Sequence, residues 1–320
     1  MNPELFLADL EAKPTALGDL AAALRRSDPY DGLPSDIGRV IFLGMGSSRY
    51  AAGVAALRLR AAGIDAIAEY ASARPYPLRP GTLVVAISAT GGSTETLDAL
   101  AAHRGRAPMV AITNVAGSAV TEGADLVVPM FAGVERGGVA CRTFQHSLAL
   151  LLALQARLTA TPQAGGPVAG LVDRAAEATA DLLDRRPEWL PRALDLLDGP
   201  HGVYPIAPAE RLSSAEQSAL MVREGPRRPA DACETGDWAH VDVYLTKTLD
   251  YRALLFPGSR YDAQAMDWIR QRGSTVVAVG GDVQDADMTI RYRHDHDPDV
   301  RLLTETLVAE LVAAHWWARG

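Results

Sequence analysis

What most limits the folds open to this chain is a set of short, unbroken apolar runs spaced through its first 130 residues. They are Val40-Ile41-Phe42-Leu43, Leu83-Val84-Val85-Ala86-Ile87, Met109-Val110-Ala111-Ile112 and Leu126-Val127-Val128. A run without polar alternation suits a strand covered on both faces, and such strands belong to parallel sheets. Helical patterning fills the intervals over residues 48–62 and 94–102, and a longer helix is expected over 139–158. Strands alternating with helices at this spacing are βαβ units, so the expected fold is α/β, a doubly wound parallel sheet with helices on both faces.

A second series of the same kind follows. Helices are expected over 171–183 and 189–197, strands over 203–206, 241–245, 253–256, 276–279 and 288–290, and a closing helix over 302–317. Two layers of similar size and pattern predict tandem three-layer α/β/α domains. Ahead of the first strand, Leu5, Leu7, Leu10, Leu17, Leu20 and Leu24 recur at helical spacing, broken at Pro14 and closed by Asp28-Pro29 and Gly32. The stretch Pro162-Gln163-Ala164-Gly165-Gly166 has the composition of a connector. The predicted organisation is a helical segment over 1–36, a first domain over 37–161, a linker over 162–170 and a second domain over 171–320.

Composition narrows the function classes. Hydrophobic residues at 48% and charged residues at 22% describe an ordinary globular chain rather than a disordered or fibrous one. Against 31 Lys and Arg stand 39 Asp and Glu, a net charge of −8, and the Arg pairs 25–26, 185–186 and 227–228 are isolated. That footprint excludes nucleic acid as the expected partner. Two cysteines give no disulfide framework. The longest apolar run, 148–154, is too short for a bilayer, and no basic leader opens the chain. The expected setting is the cytoplasm, with no membrane partner.

The chemistry-bearing features lie at strand ends. Gly44-Met45-Gly46-Ser47-Ser48 stands where the first strand gives way to a helix, and Ser88-Ala89-Thr90-Gly91-Gly92-Ser93-Thr94 where the next does. Open α/β sheets bind ligands at such carboxyl ends. Glycines let backbone approach a ligand, and helix starts offer N–H groups to an anion. The hydroxyls of Ser47, Ser48, Ser88, Thr90 and Ser93 could converge on a monophosphate without a cation. A nucleotide loop fits less well: no Walker lysine is present, and Arg49 stands where the dinucleotide fingerprint wants Gly.

Together with Thr113-Asn114-Val115-Ala116-Gly117-Ser118 and Glu135-Arg136-Gly137-Gly138-Val139-Ala140, these turns make the chain resemble the sugar-isomerase (SIS) domain family. Within it, the chain is similar to the isomerase half of glucosamine-6-phosphate synthases. The resemblance implies tandem SIS domains and a homodimer with a shared active site. Its ligand would be a small phosphosugar, its phosphate held by Ser48, Ser88, Thr90 and Ser93. It further implies that Glu224, closing the segment 216–224, moves the substrate proton, and that His240, in Glu234-Thr235-Gly236-Asp237-Trp238-Ala239-His240, opens the sugar ring from the partner subunit. Glu135 and Arg142 match a family Glu and Lys. Both could line the site, or they could form a structural ion pair.

The departures are specific. Gln217 and Met221 replace a Glu and a Lys of the family helix, the family's Lys-bearing tail is absent after His315-Trp316-Trp317, and no glutaminase segment is seen. Pro208-Ala209-Glu210-Arg211 replaces the Gly-rich turn of the second domain, so a phosphate cradle is expected in the first domain alone. The expected activity is aldose and ketose phosphate isomerisation, or deamination or deglycation of an amino-sugar phosphate. The alternative is a phosphosugar sensor without turnover that acts through a protein partner. His294-Asp295-His296-Asp297 offers metal-ligand side chains, but four consecutive residues cannot easily all face one ion. No metal and no cofactor is expected.

Overall fold

Each apolar run of the first series forms a strand. The computed structural model describes residues 1–159 and 165–320. In chain order the first elements are α1 (Pro3–Glu11), α2 (Lys13–Arg26), β1 (Arg39–Gly44), α3 (Ser47–Ala61), β2 (Asp65–Tyr70), β3 (Thr82–Ile87), α4 (Thr94–Ala101), β4 (Met109–Thr113), β5 (Leu126–Pro129) and α5 (Arg142–Leu158). They are followed by α6 (Gly165–Asp184), α7 (Arg186–Leu197), β6 (Tyr204–Ala207), α8 (Leu212–Glu224), β7 (Cys233–Glu234), α9 (Thr235–Trp238), β8 (Arg252–Leu255), α10 (Asp262–Arg272), β9 (Thr275–Val279), β10 (Met288–Ile290), α11 (Pro298–Thr304) and α12 (Thr306–Arg319).

The first sheet has the order β2-β1-β3-β4-β5, parallel throughout. Its central strands β1, β3 and β4 are buried along their whole length, as unbroken apolar runs require. Ile41, Leu43, Val84, Ala86 and Ala111 pack with Leu100 and Val120 into the core of this layer. The edge strand β2, Asp-Ala-Ile-Ala-Glu-Tyr, is half exposed and has no counterpart in the sequence-based reading. The second sheet, β10-β9-β8-β6-β7, is also parallel. Ile206, Trp238, Tyr251, Leu255, Ile269 and Val276 form a core cluster beside it.

Pro14 sits at the second position of α2, where a missing N–H costs nothing, so it separates α1 from α2 rather than ending the helical region. The strand expected over 241–245 is a 3-10 turn over Asp242–Lys247. Val243 and Thr246 are buried there while Val241 and Tyr244 are exposed, a period of three that a two-residue alternation misreads. The short strand β7, just upstream, takes the edge position instead. The expected closing helix is divided at Glu305, which lies between α11 and α12.

Two compact units result. One comprises Thr15–Val134 with Arg142–Asp173 and contains the first sheet; the other comprises Met1–Pro14, Glu135–Cys141 and Arg174–Gly320 and contains the second. Of the expected linker, residues 162–164 lie outside the described residues, and 165–170 open α6. Among the described residues, no helix is long and apolar enough to cross a membrane.

Candidate functional site

In the first-sheet unit, β1 leads through α3 to β2 on one side, and β3 leads through α4 to β4 on the other. The chain therefore reverses direction between β1 and β3, which makes their carboxyl ends the topological switch point of the sheet. Leu43 is in register with Ala86, so the turns after both strands start at the same level.

The first turn is tight. A Cβ on Gly44 would lie 2.9 Å from the Ser48 Cβ, so glycine is what lets α3 begin this close to the strand. Gly46, at φ +51°, is the residue ahead of α3, and no side chain caps that helix start. The hydroxyls of Ser47 and Ser48, in the first turn of α3, have no hydrogen-bond partner among the described residues. Unclaimed N–H groups and free hydroxyls at a helix start are donors for an anion.

In the second turn, the Ser88 Oγ accepts from the Gly91 N–H (3.1 Å), which curls the backbone back on itself. Thr90 is exposed, and its hydroxyl has no partner among the described residues. Ser93 precedes α4; its hydroxyl donates to Glu95 (3.0 Å) and accepts from Thr96 (3.2 Å). Hydrogen bonds from its own backbone N–H and from Ser93 hold the Glu95 carboxyl below the usual range. The loop after β4 braces this turn: Asn114 N–H donates to Ala89 O (3.1 Å) and Val120 N–H to Gly91 O (2.9 Å). Gly91 has φ +69°, and a Cβ there would fall on the Ser118 hydroxyl, so the turn closes only around glycine. That lock joins residues 27 positions apart and left no local pattern in the sequence.

Arg49 served the sequence reading only to set aside a dinucleotide loop and was given no place at the site. It lies in the first turn of α3, with its guanidinium over the rings of Tyr70 (4.7 Å) and Tyr50 (5.0 Å). A cation thus accompanies the first turn, where neutral donors alone were expected. Its place immediately after Ser48 was the available signal.

In the second-sheet unit, α8 carries Gln217 and Met221 fully buried and Glu224 half-buried at its carboxyl end. Gln217 Nε2 donates to Ala140 O (2.8 Å) and approaches the Met221 sulfur (3.6 Å). Glu135 Oε1 accepts from the Cys141 N–H (2.7 Å), closing the segment Glu135–Cys141 into a loop. Burial pushes the Glu224 carboxyl above its usual range, and the negative charge of Glu135 adds to the effect. Burial also pushes the Cys141 thiol up, which disfavours its thiolate form.

Helix α1 holds that loop. Gly137 N–H donates to Asp9 Oδ2 (2.7 Å), Asn2 N–H donates to Gly137 O (3.2 Å), and a Cβ on Gly137 would lie 2.5 Å from the Phe6 Cα. Just after α1, Lys13, one of only two lysines in the chain, forms an ion pair with Glu310 of α12 at zero exposure for both side chains.

Of the sequence-predicted residues, Ser47, Ser48, Ser88, Thr90 and Ser93 gather at the two neighbouring strand ends, and Glu135, Gln217 and Glu224 share the second-sheet unit. His240 is exposed, directly after α9, and no hydrogen bond or ion pair joins it to Glu224 among the described residues. Arg142 opens α5 in the first-sheet unit, donating to Val134 O (2.6 Å). The 294–297 segment is engaged internally: His294 with Glu177 (2.7 Å), Asp295 with Arg291, and Asp297 with Arg174 (2.9 Å).

Residues 35–157 match the family model described as the SIS domain. The chain is 30% identical over 262 residues to glutamine–fructose-6-phosphate aminotransferase (isomerizing) from Aeropyrum pernix, covering 77% of this chain and 42% of that one. It is 28% identical over 327 residues to the enzyme of the same name from Methanothermobacter thermautotrophicus, covering 95% and 52%. The chain thus spans about half the length of the curated relatives it matches. Among solved structures, the C-terminal domain of glucosamine-fructose-6-phosphate aminotransferase from Francisella tularensis superposes with a TM-score of 0.84 at 17% identity, covering 98% of this chain and 96% of that one. Tagatose-6-phosphate ketose/aldose isomerase from Escherichia coli gives 0.76 at 16%, covering 98% and 92%. Residues 35–157 thus form a SIS domain, and a second α/β/α layer follows it in the chain, as in the fold of these solved neighbours.

Proposed function

We propose that this protein is a cytoplasmic phosphosugar enzyme of the sugar-isomerase type, working as a homodimer on one small substrate per site. Residues 37–161 make its phosphate-binding domain and 171–320 its second. Ser47, Ser48, Ser88, Thr90 and Ser93 hold the phosphate at the carboxyl ends of β1 and β3. The observation that carries this reading is the pair of glycine-shaped turns at one switch point, three of whose hydroxyls (Ser47, Ser48 and Thr90) have no internal partner among the described residues. Hydroxyls with no internal partner beside a helix start are available as donors to an anion.

Glu224 takes the C2 proton of the open-chain sugar and returns it to C1, through an enediolate. A carboxyl whose burial keeps its proton affinity high suits that shuttle at neutral pH. His240, reaching the site from the partner subunit, assists ring opening; its exposure and the exposed Val241 and Tyr244 beside it are in keeping with a surface that meets a second copy. Gln217, Glu135 and Arg142 line the site. The reaction is aldose and ketose phosphate isomerisation, or deamination or deglycation of an amino-sugar phosphate.

One observation favours a second reading, a sensor without turnover. Met221, in place of the family lysine, is buried against Gln217, so that helix presents no cation. Incubation with a hexose 6-phosphate panel in D2O separates the two. The enzyme incorporates deuterium at C2, and Glu224→Gln lowers that exchange at least 100-fold, within the roughly 10² to 10⁴ that a positioned acid–base group contributes. Binding without exchange leaves the sensor, and absence of binding to any sugar phosphate rejects both.

A further inference from the structure

We propose that the Tyr251 hydroxyl braces the segment that presents His240. It ties the side chains on either side of that histidine, Trp238 and Asp242, to one atom, which makes Tyr251 a positioning residue for ring opening. For the reaction this deepens the function proposed above and rests on it; the brace itself needs no substrate and lies within a single chain.

Trp238 and Asp242 stand four residues apart, with His240 midway between them. Both flanking side chains turn into the core, Trp238 at zero exposure and Asp242 at 5%, while His240 is exposed. They meet on one oxygen: the Trp238 indole N–H donates to the Tyr251 hydroxyl (2.8 Å), which donates in turn to Asp242 Oδ2 (3.0 Å). The backbone between them is wound as tightly. The His240 N–H donates to Asp237 O (2.8 Å), and the Val241 N–H to Asp237 O (3.1 Å) and Trp238 O (3.3 Å). The span from Trp238 to Asp242 is thus closed into a ring through a residue that stands just ahead of β8.

Tyr251 is itself held in place. It is buried, stacked on the Tyr204 ring of β6 (4.2 Å between centroids, 16° between planes) and edge-on to Trp238 (6.3 Å). The ends of the segment are fixed as well. At the start of α9, Glu234 accepts from the Gly236 and Asp237 N–H groups (2.8 and 2.9 Å), and in the turn that follows, Arg272 of α10 donates to Val243 O and to Thr246 Oγ1 (2.7 Å). His240 has no side-chain hydrogen bond of its own among the described residues, so the direction in which its ring leaves the surface is set by its backbone. As a source of stability the network is poor, since a carboxylate buried against one neutral donor recovers only part of its desolvation cost. What three linked partners do supply is a single geometry.

Amide hydrogen exchange of the full chain, read by mass spectrometry in peptides over 237–243 and over β9, tests the brace. In Tyr251→Phe, which removes the oxygen and keeps the ring, the 237–243 amides are expected to exchange about tenfold faster, the effect of one lost hydrogen bond, with β9 unchanged. On a hexose 6-phosphate the same variant should lose about tenfold or more in kcat with KM within about twofold, because the phosphate-holding turns lie in the first-sheet unit. Asp242→Asn, which still offers the hydroxyl an acceptor oxygen, should return most of the protection lost in Asp242→Leu, and equal loss in both overturns the brace. An unchanged 237–243 rate in folded Tyr251→Phe, or an acceleration that β9 shares, overturns it too. If Tyr251→Phe does not fold, Trp238→Phe, which removes the indole donor, must show the same selective acceleration, and its absence overturns the brace equally. Selective acceleration with kcat unmoved in an active enzyme overturns the positioning role. Since amide exchange needs no substrate, selective acceleration in a protein inactive on every sugar phosphate upholds the brace and defeats the proposed function, while a fall in kcat with unmoved amides does the reverse.

Discussion

The carboxyl of Glu224 is held above its ordinary proton affinity, by burial first and by Glu135 second, so the folded state binds that proton more tightly than the unfolded chain does. The stability this contributes is complete in acid, below the ordinary glutamate range, and is lost as pH rises through the raised value. Glu224→Gln, uncharged at every pH, should therefore melt at a higher temperature than the parent at pH 8, and the gap should close near pH 4. Melting curves of both proteins across that range check it; identical melting temperatures at pH 8 would sink the idea. The resemblance to the family placed Glu224 at the end of a helix, and α8 ends there. It could not reveal that the position is half-buried or that the charge of Glu135, 89 residues earlier, adds to its shift, because both depend on the folded arrangement.

At the scale of elements, α1 is the clearest case of a segment whose pattern was legible and whose role was not. Leucine spacing marked a helix, and Asn2 caps its start by accepting the Leu5 N–H (2.9 Å). The buried Lys13–Glu310 pair at its end joins residues 297 apart. Removing one partner leaves the other charge stranded, so Lys13→Met is expected to cost roughly 3–5 kcal/mol in urea unfolding, and adding Glu310→Leu should restore much of the loss. A single variant as stable as the parent would refute this. The strands β1, β3 and β4 were legible because burial on both faces removes polar residues from the sequence itself. The edge strand β2 was missed because Asp65 and Glu69 broke the apolar run, and the turn at 242–247 was misread because its three-residue burial period was taken for the two-residue period of a strand.

For the molecule as a whole, the two layers are alike in topology and unlike at their ligand-facing ends. In the second-sheet unit, the Arg211 guanidinium donates to Glu305 (2.9 Å) and to Pro257 O (2.6 Å), and Gly258 and Gly281 lie against Arg211 and Arg301. That strand end is filled by its own side chains, whereas the first has hydroxyls to spare. Calorimetric titration should accordingly give one sugar phosphate per chain. Ser48→Ala and Thr90→Val should each weaken binding about tenfold or more, as expected for lost hydrogen bonds to a charged group, and two equivalents bound would contradict the filled second end. Neither unit is a single stretch of chain, since Glu135–Cys141 and Met1–Pro14 both join the residues that follow Arg174. On the ribosome, α1 therefore emerges long before α12, the helix it is destined to pack against, and Phe6 and Leu10 stay uncovered until synthesis has passed the last core helix. The first sheet can mature while translation is under way; the loop bearing Glu135 has to wait.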